Sequence, residues 1–343
     1  LVSATAVPIR REKDVSVRVG LVLGGGGVVG ASWTVGALQA LEDEFGFRAD
    51  QATRVLGTSA GALVGTMGAA GISPAAMAEY ATGTASRGAQ GAAGPYRVSL
   101  WPPPLGFGSA RMALAMLREQ RDRSLGALLM GLLPRGVVHT DPIRRLVERV
   151  VGGTWPASPA LRIVACDYAS GQRVTFGSLR APQSGIGEAV AASCAIPAFF
   201  QPVRIGERSY VDGGIHSHSN LDLIADQDLD LVICLSPMSS SASPPSAGVL
   251  ERVVASRRRH ASAVLAAEAQ KLGVRGVELV VLEPGIEDLQ AMGANLMARD
   301  RAEQVIATAR QSVTRTLRRL AHGSTLAGPG AATKLPTLAV STP

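Results

Sequence analysis

Two stretches without a single charged residue, Val19 to Leu41 and Val55 to Ala78, limit what this chain can fold into more than any other feature. Each is long enough to cross a bilayer. Neither reads as a span, because four consecutive glycines, Gly24 to Gly27, break the first and Gly71-Ile72-Ser73-Pro74 breaks the second. A strand and a helix that are each buried on both sides produce the same charge-free run. The chain is 46% hydrophobic but only 4% aromatic, so its core must come from Ala, Val and Leu, which suits a sheet covered by helices. Its 343 residues allow one large domain or two ordinary ones. No basic n-region with an apolar h-region precedes the first run, so no signal peptide is expected. A cytoplasmic protein is the expectation, with peripheral contact at a membrane surface left open.

The first run opens with an apolar strand, Val15 to Leu23, and passes through the glycine loop 24–30 into a helix expected from Ala31 to about Glu44. Strand, glycine loop and helix form a cradle for an anion: backbone N–H groups without side chains converge on one oxygen, and the helix N-terminus adds positive potential. The second run carries Gly57-Thr58-Ser59-Ala60-Gly61 behind a strand, Thr53 to Leu56. A serine between two glycines at a strand-to-helix turn is the pattern of a nucleophile elbow. The spacing Gly25-x-Gly27-x-x-Gly30, with Asp50 downstream, also satisfies an NAD(P)-binding Rossmann reading. Against that reading, the second strand delivers Ser59 where a dinucleotide fold needs an acidic residue for the ribose. A glycine loop and a serine elbow after successive parallel strands face each other at one sheet edge, which is a geometry for acyl transfer.

The rest of the chain supplies candidates for the remaining parts. Residues 1–14 read as a flexible lead, and Ser73-Pro74 caps and opens a helix to Ala81. The segment 83–108 is rich in Gly, Ser and Pro and collects Trp101 and Phe107. It is either a surface loop packed on the domain or a lid whose Trp101 and Phe107 touch substrate. Helical periodicity returns over Ala110 to Gln120 and in the apolar piece Leu125 to Leu133, which read as core or as the lining of an acyl channel. Thr140 is placed as the cap of a helix ending near Gly152, and Leu161 to Asp167 pairs with Arg173 to Phe176 as a hairpin. An Ala-rich helix from Ala189 stops at Pro197. A second hairpin, Val203 to Ile205 with Ser209 to Val211, ends in Asp212-Gly213-Gly214, a carboxylate on a sharp turn with nothing bulky beside it. His216 and His218 offer imidazoles for a Ser-His-Asp triad, but they follow the aspartate too closely to occupy a separate loop. As a metal pair they lack a third ligand, so no metal and no cofactor are expected.

Cys166, Cys194 and Cys234 sit in apolar runs and read as buried thiols. The formal net charge is +7, yet no aromatics interleave with basic clusters, so nucleic acid is not expected as a partner. A last pair of strands, Leu231 to Leu235 and Glu278 to Leu282, brackets a long helix, Gly248 to Leu272, with Arg257-Arg258-Arg259 in its middle. That run reads as a solvated face, with an anionic membrane as the alternative. Helices follow over 287–320, and the composition of 323–343 predicts a disordered tail.

Taken together, the glycine loop at 24–30, Gly-Thr-Ser-Ala-Gly at 57–61, Ala-Ser-Cys-Ala-Ile-Pro-Ala-Phe-Phe-Gln-Pro at 192–202, and Asp-Gly-Gly at 212–214 with Asn220 behind it resemble the patatin-like phospholipase family. The resemblance implies a three-layer α/β/α fold with a mainly parallel central sheet, as one catalytic domain over residues 15–322. It also implies cleavage of ester-linked acyl chains of phospholipids or related lipids without a metal. Ser59 would be the nucleophile, Asp212 its base in a dyad without histidine, and the amides of Gly25, Gly26 and Gly27 the oxyanion hole. The chain departs from the family where Val29 replaces the usual basic residue and Asp222 a common proline. The first departure leaves a catalytically weak lipid-binding module on the same scaffold as an alternative.

Overall fold

The computed structural model describes residues 17–84, 136–224, 228–242 and 248–323. The expected lead, the lid segment with Trp101 and Phe107, the apolar pieces over 110–133 and the tail after 323 lie outside them. The first charge-free run folds as strand β1 (Val19–Leu23) and helix α1 (Gly27–Phe45), and the second as β2 (Arg54–Thr58), α2 (Ala60–Ala69) and α3 (Pro74–Thr82). There follow α4 (Asp141–Val147) with one π-helical turn to Gly152, β3 (Ala160–Asp167), β4 (Arg173–Phe176), α5 (Ile186–Ser193), β5 (Val203–Ile205) and β6 (Arg208–Asp212). The chain then forms β7 (Leu231–Leu235), α6 (Val249–Gly273), β8 (Glu278–Leu282), α7 (Ile286–Met292) and α8 (Ala302–Gly323).

The strands form one sheet in the order β5-β6-β3-β2-β1-β7-β8, with β4 also on β3. β3, β2, β1, β7 and β8 run parallel, while β4, β5 and β6 pair antiparallel. Alternation along the central strands divides the core in two. Leu21, Leu23 and Val55 point to the face covered by α1, α2, α5 and α8. Val22, Leu56 and Val232 point to the face covered by Leu265 and Leu272 of α6. Both faces are thus covered, which is why β1 and β7 are buried at every position. Among the described residues, no helix is long and apolar enough to cross a membrane.

Close helix packing explains one glycine inside α1. A Cβ on Gly36 would collide with the Ile306 carbonyl and the Ala309 side chain of α8. The acids at the C-terminal end of α1 answer the same neighbour, with Asp43 paired to Arg310 at 2.7 Å and Glu44 to Arg318 at 2.9 Å.

Three local expectations need correction. α1 begins at Gly27 rather than Ala31, because Val29 N–H and Gly27 pack against the Leu296 carbonyl and hold the Gly-Val-Val-Gly stretch helical. Thr140 stands at the start of α4, but its side chain accepts no capping hydrogen bond. Ser73 does cap α3, accepting from Ala76 N–H at 3.2 Å. The arginine run on α6 is not a uniformly solvated face: Arg257 and Arg259 are exposed, whereas Arg258 is buried.

Candidate active site

Ser59 occupies the single residue between β2 and α2, at φ 54° and ψ −122°. A residue with a Cβ seldom adopts that conformation, and it persists only where the surroundings over-determine it. A Cβ on Gly61 would strike the Leu23 carbonyl, and one on Gly57 would lie 2.6 Å from Ala62 Cα, so both glycines are needed for α2 to turn back across β1 and β2. The Ser59 N–H donates to Ser193 Oγ at 2.8 Å, and the Ser193 hydroxyl donates to the Val164 carbonyl at 2.6 Å. Ser193, at the end of α5, therefore pins the strained turn to β3. Sequence reasoning assigned it no role, although it is the lone hydroxyl in an Ala-rich helix.

The strand register explains how Asp212 reaches this serine. Ile163 of β3 is flanked by Gly57 of β2 and Phe176 of β4, so those two strands lie on opposite edges of β3. Ala165 is flanked by Val174 of β4 and Asp212 of β6, so β6 lies on the edge that β2 occupies. β2 and β6 thus run toward each other along one edge of β3 and stop tip to tip. There, Ser59 Oγ donates to Asp212 Oδ2 at 2.6 Å. The other carboxylate oxygen, Oδ1, accepts Gly214 N–H at 2.7 Å. Both residues are buried, Ser59 at 7% and Asp212 at 5% exposure. Burial pushes the Asp212 carboxyl up to about 6, against the hydrogen bonds from Ser59 and Gly214 that favour its charged form. Gly213 is required because a Cβ there would sit 2.6 Å from the Val164 carbonyl.

Asn220 locks the two strand ends together. It is fully buried at φ 50°, and its Nδ2 donates to Thr58 Oγ1 at 3.1 Å, Gly213 O at 3.3 Å and Ser217 O at 2.6 Å. One amide thereby bridges the residue before Ser59 and the residue after Asp212. Behind it, Asp222 accepts from Arg173 at 2.7 Å and Lys271 at 3.1 Å, which hold its carboxyl well below the usual range although burial opposes them.

The glycine loop runs beside Ser59, with a Cβ on Gly25 falling 3.1 Å from Ser59 Cβ. Its amides are not equivalent. Gly24 N–H donates to Leu235 O at 2.9 Å and Gly25 N–H to His218 O at 2.8 Å, whereas among the described residues no acceptor meets the N–H of Gly26 or Gly27. Val29 is fully buried in the main core, so an apolar side chain fills its position. Burial, with Arg257, His260 and Arg258 nearby, pushes the His218 imidazole down to about 4, and no imidazole stands between Ser59 and Asp212. Asp50, the acid required by a dinucleotide reading, lies before β2, at the opposite end of the strand from the loop, and accepts from Arg48 at 3.1 Å.

The described residues also line a cavity of about 530 Å³ that reaches Ser59, with walls that include Leu63, Val64, Met67, Met77 and Ile143. Among the described residues, no cluster of His, Cys, Asp and Glu could hold a metal ion. All three cysteines are buried and free, with the Cys166 thiol pushed up to about 12 by burial.

Comparison with known proteins extends this picture. VipD from Legionella pneumophila superimposes with a TM-score of 0.37 at 15% identity, over 86% of this chain and 67% of VipD. The type III effector protein ExoU does so with a TM-score of 0.35 at 17% identity, over 88% of this chain and 53% of ExoU. The model of the family described as patatin-like phospholipase matches residues 21–224, more than half of the 343. That match runs from β1 through the glycine loop, the Ser59 turn and Asp212 to the segment behind Asn220, and the chain belongs to the patatin-like phospholipase family.

Proposed function

We propose that this protein hydrolyses acyl esters of lipids, with Ser59 as nucleophile and Asp212 as the single acid–base group. Family membership supports a lipid acyl hydrolase, and the observation that carries the dyad is the buried 2.6 Å hydrogen bond from Ser59 Oγ to Asp212 Oδ2. As Oγ attacks the ester carbonyl, its proton passes to Oδ2, and a carboxylate made more basic by burial is better suited to take it than an ordinary aspartate. The negative charge that develops on the carbonyl oxygen is met by the amides of Gly26 and Gly27, aided by the N-terminus of α1. One such donor is worth on the order of 3 kcal/mol. Gly25, already bonded to His218, serves instead as the strut that holds the loop. Asp212 returns the proton to the leaving alkoxide, which leaves the acyl group on Ser59; it then takes a proton from the water that attacks the acyl carbon and gives it to Ser59 Oγ as the fatty acid departs. The apolar cavity beside Ser59 suits an acyl chain, and substrate at a membrane surface would require only peripheral contact.

Covalent labelling with a fluorophosphonate, followed by peptide mapping, tests the assignment. Ser59 should carry the label in wild type, Ser59→Ala should take none, and Asp212→Asn should label at least a hundredfold more slowly. Rapid labelling of folded Asp212→Asn would remove the dyad.

A further inference from the structure

Arg258 is the middle of three consecutive arginines on α6 and the one that turns inward, at 6% exposure. Moving a guanidinium out of water costs several kcal/mol unless its surroundings compensate. No carboxylate pairs with it among the described residues, and burial alone pushes it down to about 10. Its Nη1 donates to the Pro237 carbonyl at 2.6 Å, and its Nη2 lies 3.8 Å from Met292 Sδ. The first partner packs on the glycine loop, and the second leads into the segment that supports it. The Pro237 ring would stand 3.4, 3.0 and 3.5 Å from a Cβ on Gly24, Gly26 and Gly30 respectively. Met292 ends α7, just before the segment whose Leu296 carbonyl accepts Val29 N–H and abuts Gly27. One turn along α6, Ser262 Oγ accepts Ser240 N–H at 3.0 Å, so α6 grips the loop that carries Pro237 at two points.

We propose that Arg258 is a positioning residue for the oxyanion site: its guanidinium ties Pro237 to the end of α7 and thereby fixes the backbone of Gly26 and Gly27. The inference rests on the Ser59–Asp212 reading. An apolar side chain of similar length would fill the space but leave the Pro237 carbonyl without its donor, and the loop would drift. Oxyanion donors act over a few tenths of an ångström, and a displacement of about 1 Å costs on the order of a hundredfold in rate.

The test compares full-length wild type, Arg258→Met, Arg258→Gln, Arg258→Lys and Arg259→Gln on p-nitrophenyl butyrate, with melting curves alongside. Arg258→Met should lose roughly tenfold to a hundredfold in kcat with KM within about twofold, because the loop acts on the transition state rather than on substrate binding. Arg258→Lys, which keeps a charged donor, should recover most of that loss, and exposed Arg259→Gln should match wild type. Should Arg258→Met not fold, Arg258→Gln decides by the same split. Wild-type kcat in a folded neutral variant, or a loss confined to KM, overturns the proposal. So does failure of both neutral variants to fold while Arg258→Lys keeps wild-type kcat, since that pattern marks a purely structural residue. A wild type that neither labels at Ser59 nor turns over the ester fails at the dyad, and takes this proposal with it.

Discussion

Burial raises the Asp212 carboxyl from an ordinary 3.8 to about 6, and the shift sets two separate pH dependences. In its proposed role as base Asp212 must be ionised, so kcat/KM for a soluble ester should climb through about pH 6 and level off above it. A flat profile between pH 5 and 8 would contradict this. For stability the sign is opposite. Between about pH 4 and 6 the folded chain keeps a proton that the unfolded chain has released, so stability falls as pH rises across that interval and stays low above it. Asp212→Asn lacks this cost. At pH 8 it should exceed wild type by on the order of 3 kcal/mol, and near pH 4 the two should converge. Melting curves at both values check this, and a gap that does not change with pH would count against it. The turns that carry Ser59 and Asp212 were legible in the sequence because the glycines that make room for them are immediate neighbours. The engagement of the Gly25 N–H was not, since its acceptor, His218, comes from the far side of the chain. Arg258 escaped for the same reason: sequence shows an arginine run on a helix, and only Pro237 and Met292 reveal that one of the three is inside.

The strands and helices themselves were largely legible, because a charge-free run with a glycine break has few other solutions. Errors gathered at the ends, where distant atoms decide. α1 starts a turn early because the Leu296 carbonyl supports it, and nothing local in Gly-Val-Val-Gly announces that. How β2 meets β6 was equally hidden, since it depends on the register of both strands on β3. Asn220 is where this meeting can be tested. Asn220→Ala removes the donor that reaches the Thr58 hydroxyl and the Gly213 and Ser217 carbonyls and puts a poor residue at φ 50°. We expect a loss of about 2–4 kcal/mol in unfolding free energy, with kcat reduced in the fraction that stays folded. Stability within about 0.5 kcal/mol of wild type would show that the bridge contributes nothing.

At the scale of the molecule, α8 is the far wall of the helical layer that holds α1, and so the glycine loop, in place. It buries Val305, Ile306, Ala309, Val313 and Leu317. At about 1.5–3 kcal/mol for each large side chain, that is on the order of the whole net stability of a domain. A chain ending at residue 300 should therefore be insoluble or molten, as near-ultraviolet circular dichroism would report, and a cooperative melt from it would refute the role given to α8. The head-on meeting of β2 and β6 has a consequence for the order of events during synthesis. Ser59 and Asp212 are 153 positions apart, and the serine leaves the ribosome with its glycine loop and elbow while the aspartate proposed as its base is still to be translated. On the proposed dyad, a chain arrested anywhere before Asp212 carries an alcohol like any other, and Ser59 gains its base only when β6 has docked.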